Sequence, residues 1–161
     1  VNLVVRVAVV LVCVATLTAC SEAAPEPPSF DTAKQALMED AAAILASAEV
    51  KASAIMEITD RAEKDDTGDC RPGKVQRFFR AKGNLREPAR QSPGMVVGWI
   101  GSRLGLKYYD PVVDNLDLWD DNLSVEVLRK PSVAVTFVIA ARTTKPNLLI
   151  VGKTDCFSLK K

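Results

Sequence analysis

From residue 30 to about residue 61, apolar side chains recur at steps of three and four. Leu37, Ala41, Ile44, Leu45, Ala48, Ala52, Ile55 and Met56 make one stripe, which predicts a long amphipathic helix. Asp31 and Thr32 ahead of Gln35 offer capping chemistry at its start. Residues 63–69 are polar and punctuated by Gly68, so a loop is expected to lead into Cys70. Residues 74–82 alternate as a strand, with Val75, Phe79 and Ala81 set against Lys74, Arg80 and Lys82. Ser92 and Pro93 open a second helix through Met95, Val96, Trp99, Ile100 and Leu104, with Gly105 placed to close it in the left-handed conformation. A short strand is expected over residues 106–109. Three β-branched runs follow, at 123–129, 133–142 and 147–154. They are broken at Pro131-Ser132 and Lys145-Pro146 and read as an antiparallel meander.

The N-terminal pattern is different in kind. After Arg6, residues 7–19 carry no charge. This run is too short for a membrane span, which needs about 20 residues, but suits the apolar core of a signal peptide. It ends in Leu17-Thr18-Ala19-Cys20, a branched apolar residue, two small ones and a cysteine. The tetrapeptide resembles the lipobox of bacterial lipoproteins. That resemblance implies cleavage before Cys20, a diacylglycerol thioether on its sulfur, and a mature chain held on the outer face of the cytoplasmic membrane. Two or more acyl chains hold a small protein on a bilayer durably where one does not. An ordinary cleavage site within residues 21–24, giving a secreted protein, and an uncleaved anchor are the alternatives. Pro25, Pro27 and Pro28 suggest an extended spacer. The expected organisation is a signal peptide at 1–19, a lipidated cysteine and spacer at 20–29, and one domain at 30–161. The whole layout is similar to small uncharacterised lipoproteins of high-GC Gram-positive bacteria, a likeness that supplies no catalytic or binding residues.

With Cys13 removed in the signal peptide and Cys20 lipidated, Cys70 and Cys156 remain, and in an exported protein they most simply pair. They lie just before the first predicted strand and just after the last. The bridge therefore makes those two strands antiparallel neighbours. With a meander in between, the expected fold is α+β: about five mostly antiparallel strands in the order 1-5-4-3-2, both helices on one face. The first and second strands then run parallel and need a crossover, which the second helix supplies.

Composition narrows the function. The chain has 161 residues, 48% apolar and 25% charged, the balance of one folded domain. It has no histidine, which removes the commonest general base and metal ligand. With 21 basic and 20 acidic residues there is no basic excess to suggest a nucleic-acid partner. No phosphate-binding glycine spacing is present, since Gly94, Gly98, Gly101 and Gly105 belong to the second helix and read as a close-packing surface. No motif around Ser102, Ser124 or Ser132 supports a serine–lysine dyad, and no cofactor is expected. Asp110, Asp114, Asp117, Asp120 and Asp121 lack the glycine and spacing of a calcium loop. Tyr108, Tyr109 and Trp119 read as core or anchoring aromatics before they read as a groove.

Charge instead comes in blocks, with net −8 over residues 20–70, +8 over 71–107, −6 over 108–126 and +6 over 127–161. Attraction between blocks would aid folding. A sharper expectation is a basic sheet face carrying Lys74, Arg80, Lys82, Arg129, Arg142 and Lys153, suited to an envelope protein, anionic lipid or a wall polymer. The expected function is thus a lipid-anchored, non-enzymatic binding domain. A carrier or sensor for a small apolar ligand held between the long helix and the sheet is the second class, and a hydrolase, which would need a buried carboxylate pair, the third.

Overall fold

The β-branched runs of the C-terminal half pair as a meander, and the rest of the chain is built onto it. The computed structural model describes residues 26–47, 56–87, 90–113 and 121–158. The expected signal peptide, Cys20 and most of the spacer lie outside these residues, as do Ala48, Ala52, Ile55 and Trp119. In chain order the elements are α1 (Phe30–Ala46), β1 (Met56–Asp66), β2 (Lys74–Leu85), α2 (Pro93–Gly105), β3 (Asp110–Val113), β4 (Leu123–Lys130), a 3-10 turn (Pro131–Val133), β5 (Val135–Arg142), β6 (Leu148–Thr154) and β7 (Phe157–Ser158).

The fold is α+β, with an antiparallel sheet of seven strands in the order β1-β2-β6-β5-β4-β3 and β7 paired to β2. Strand count and order thus differ from the five-strand expectation. The run β2-β6-β5-β4-β3 stands inside the sheet, but β1 adds an edge and β7 a short extra pairing. Four successive antiparallel pairings leave β2 and β3 pointing the same way, with α2 making the crossover.

Three local expectations are corrected. The long helix stops at Ala46, and Met56–Asp66 is a strand rather than helix and loop. Three of its carboxylates find their partners in β2, while Lys64 pairs with Asp66 inside the strand. Arg77 pairs with Glu63 at 3.5 Å and Asp65 at 3.2 Å, and Arg80 with Asp60 at 3.1 Å. The acidic block therefore lies against the basic one. Second, the cap of α1 is Ser29, whose hydroxyl accepts from the Thr32 N–H at 3.1 Å, while Gln35 bonds Glu39. Third, residues 106–109 form a turn, and β3 begins at Asp110. The left-handed residue there is Tyr108, at φ 65°, not Gly105. Ser92 does cap α2, accepting from the Met95 N–H at 3.3 Å.

One core unites both helices with one side of the sheet. Along β5, Val135, Phe137, Ile139 and Ala141 are buried and the residues between them are not, the period-two signature of a strand with one face in the core. α1 crosses the sheet over Gly152. A Cβ there would stand 2.6 Å from Leu37 Cδ1 and 2.6 Å from the Phe137 ring, so only glycine lets the helix sit this close. Among the α2 glycines only Gly101 meets a neighbour, the Glu126 carboxylate. An added Cβ at Gly94, Gly98 or Gly105 reaches open space. The close-packing expectation holds for one glycine of four. Gly98→Ala should therefore raise the unfolding free energy by about 0.5–1 kcal/mol through helix propensity and a less disordered unfolded chain. Gly101→Ala should bring no such gain. Urea unfolding of the two variants checks the contrast.

Cys70 and Cys156 are joined, with an S–S distance of 2.04 Å. The bridge ties the turn before β2 to the step between β6 and β7.

Candidate functional site

Strand alternation turns one side of the sheet toward the helices and leaves the other without a helix among the described residues. Register decides which side chains meet on that open side. Lys82, Leu149, Ala140 and Val125 form one row across β2, β6, β5 and β4. Arg80, Val151, Val138 and Val127 form the next, and Phe78, Lys153, Thr136 and Arg129 a third. The centre is aliphatic and half-buried, with cations around it.

Five of the six predicted basic residues are brought together on this side: Arg80, Lys82, Arg129, Arg142 and Lys153. Lys74 stands apart, at the far end of β2 opposite Ser158 of β7. The five are not equivalent electrostatically. Arg80 is balanced by Asp60. Arg129 makes a two-pronged pair with Asp155, at 2.9 and 2.7 Å, and those hydrogen bonds raise its already high pKa. Among the described residues no carboxylate pairs with Lys82, Arg142 or Lys153. The Arg142 guanidinium is held instead by backbone, donating to the Pro146 carbonyl at 2.9 Å and approaching that of Lys145 at 3.5 Å.

A hollow of about 350 Å³ opens on this side above Ala140. Leu149, Leu123 and Pro146 wall it, and Lys82 and Arg142 stand at it. Its cause is local. Ala140 is the smallest side chain of its row, so the surface dips between Leu149 and Leu123. Asn147 fixes the hairpin beside it. Buried to 1% exposure, it accepts from the Leu85 N–H at 3.2 Å and donates to the carbonyls of Arg142 and Thr143 at 3.0 and 2.9 Å. Two of its three partners lie in its own hairpin, and the third, Leu85, is brought to it only by the pairing of β2 with β6.

A second polar cluster went unread in the sequence. Asp40 of α1, 5% exposed, accepts from Lys107 Nζ at 2.7 Å and from the Tyr109 hydroxyl at 2.9 Å. Lys130 Nζ lies 4.0 Å from the same carboxylate and 5.6 Å from the Tyr109 ring centre. Burial first, then the Asp40 charge and hydrogen bond, push the Tyr109 hydroxyl far above its usual pKa, so it stays protonated. These groups satisfy one another and hold α1 to the turn after α2. The two tyrosines expected as core or anchoring aromatics part company here, since Tyr109 packs edge-on against Phe137 at 5.5 Å while Tyr108 is 81% exposed.

Among the described residues no three cysteine, aspartate or glutamate side chains gather as a metal site. No described helix is long and apolar enough to cross a membrane. No protein family, curated protein or solved structure matches the chain.

Proposed function

We propose that this chain is a lipid-anchored envelope protein, tethered through Cys20 on the outer side of the cytoplasmic membrane. Its domain is a non-enzymatic binding module that works through the open side of its sheet. The observation that carries this reading is the aliphatic centre flanked by Lys82, Arg142 and Lys153, cations with no balancing carboxylate among the described residues. Arg80 and Arg129, by contrast, are neutralised within the fold by Asp60 and Asp155. Asp40, the one buried carboxylate among the described residues, is spent on joining α1 to the turn after α2, which favours binding over catalysis. The tether rests on the Leu17–Cys20 tetrapeptide.

Two experiments test the two halves. Cys20→Ala should move the protein from the membrane fraction to the soluble fraction, and persistence in the membrane would remove the anchor. Amine-reactive footprinting should label Lys82 and Lys153 less in intact cells than in purified protein, with Lys34 on α1 labelled equally in both. Equal labelling of all three would remove the open-side reading.

One observation keeps the apolar-ligand carrier in view. A hollow of about 430 Å³ lies where α1 begins, between Pro28, Phe30, Val75 and Phe157. Deeper along α1 the space is filled by Leu37 over Gly152. Solvent extraction of the purified chain followed by mass spectrometry would reveal a copurifying apolar molecule.

A further inference from the structure

We infer that the hollow above Ala140 is a binding site for a single-chain anionic amphiphile. The acyl chain lies on Leu149, Ala140 and Leu123, and its carboxylate or phosphate sits between Lys82 and Arg142. This deepens the open-side reading and rests on it, but not on the lipid anchor.

Three features of the hollow point to this chemistry. Its walls are mainly aliphatic, so what fills it gains by leaving water. Both polar side chains that could orient a headgroup are cationic, and neither is neutralised by a carboxylate among the described residues. A neutral ligand would leave both positive charges unbalanced. The site is also preformed. Arg142 is oriented by the Pro146 carbonyl, and the hairpin that carries Pro146 is pinned by Asn147, so little ordering remains for the ligand to impose. At about 350 Å³ it stands at the small end of ligand pockets, which fits one chain and not the pair of a phospholipid.

The test uses the full chain with Cys20→Ala, so that no lipid of its own competes, and follows backbone amide shifts in isotope-labelled protein. Straight-chain carboxylates from hexanoate to decanoate, below micelle formation, should move the amides of Ala140, Ala141 and Leu149. Affinity should rise about fourfold per added methylene until the hollow is full, then level off. Decyl phosphate in parallel tells a phosphate from a carboxylate preference, and binding of either supports the site. Decanol, which lacks the charge, should bind about tenfold more weakly. Lys82→Gln should weaken decanoate about tenfold, and Ala140→Leu, which fills the hollow from its floor, should abolish the shifts. Both positions face away from the core, so each variant can be checked for an unchanged amide spectrum elsewhere. Lys34→Gln should change nothing. Equal affinity for decanol and decanoate would overturn the proposal, as would unchanged binding by Ala140→Leu. Binding seen only with phosphatidylglycerol vesicles would replace it with docking onto a bilayer. Absence of binding here, with Lys82 and Lys153 still protected in cells, would sink this site and leave the broader open-side reading standing.

Discussion

Replacing Cys70 and Cys156 together by alanine is expected to lower the unfolding free energy by about 4 kcal/mol. The bridge spans a sequence separation of 86, so the unfolded chain it constrains is most of the domain. Loop-closure entropy grows with the logarithm of that length, which places this bridge near the upper end of what one disulfide contributes. Against a total stability of about 5–15 kcal/mol for a domain, the loss is large enough to bring the variant close to unfolding at physiological temperature. Two further readouts locate the effect in the unfolded state. The urea m-value should rise, because an unbridged chain exposes more surface when it unfolds. The native amide spectrum should change only near the turn before β2 and near β7. A loss below about 1 kcal/mol would mean that residual structure in the unfolded chain already holds these ends close without the bridge.

The second large effect is expected at Asp40. Asp40→Ala leaves the Tyr109 hydroxyl buried without its acceptor and deprives Lys107 of its carboxylate, at a cost of about 3 kcal/mol. Asp40→Asn keeps an acceptor for Tyr109 and should cost less. Tyr109→Phe alone removes a donor from an otherwise paired carboxylate. Its effect and that of Asp40→Ala should add to more than the double variant loses, since the two groups share one interaction. The same cluster fixes a sign for alkaline unfolding. Burial and Asp40 hold the folded Tyr109 hydroxyl protonated above its ordinary range, while the unfolded chain releases that proton near pH 10. The contribution is therefore complete below pH 10 and falls as pH rises beyond it, by about 1.4 kcal/mol per pH unit. Unfolding of the wild type and Tyr109→Phe across that range should differ by this slope. Parallel curves would show that the hydroxyl is not held as described.

Some of this protein was readable from one dimension. The runs that became β4, β5 and β6 announce themselves by β-branched residues between turn breakers, because a half-buried strand needs that composition and period wherever it sits. Ser92 and Pro93 mark the start of α2 for an equally local reason, an orphan N–H that a serine hydroxyl satisfies. The pairing of Cys70 with Cys156 followed from there being two cysteines left to pair, and it also set β2 beside β6 before any register was known.

β1 could not be read this way. It is an edge strand whose Asp60, Glu63 and Asp65 are paired with Arg77 and Arg80 on the neighbouring strand. Alone, those charges look like solvated loop, and Met56 looks like the end of a helical stripe. The basic residues were visible as types but not as a site. Alternation alone does not say that Asp60 and Asp155 neutralise Arg80 and Arg129 while Lys82 and Arg142 are left facing a dip over Ala140. Asp40 with Tyr109, and Asn147 with Leu85, join positions 69 and 62 residues apart. Short-range pattern reports what a residue needs from solvent and from its own turn or strand. Which distant partner supplies it is decided only when the sheet closes its register and the helices settle on one side, and that step made both the stabilising pairs and the unpaired cations of the open side.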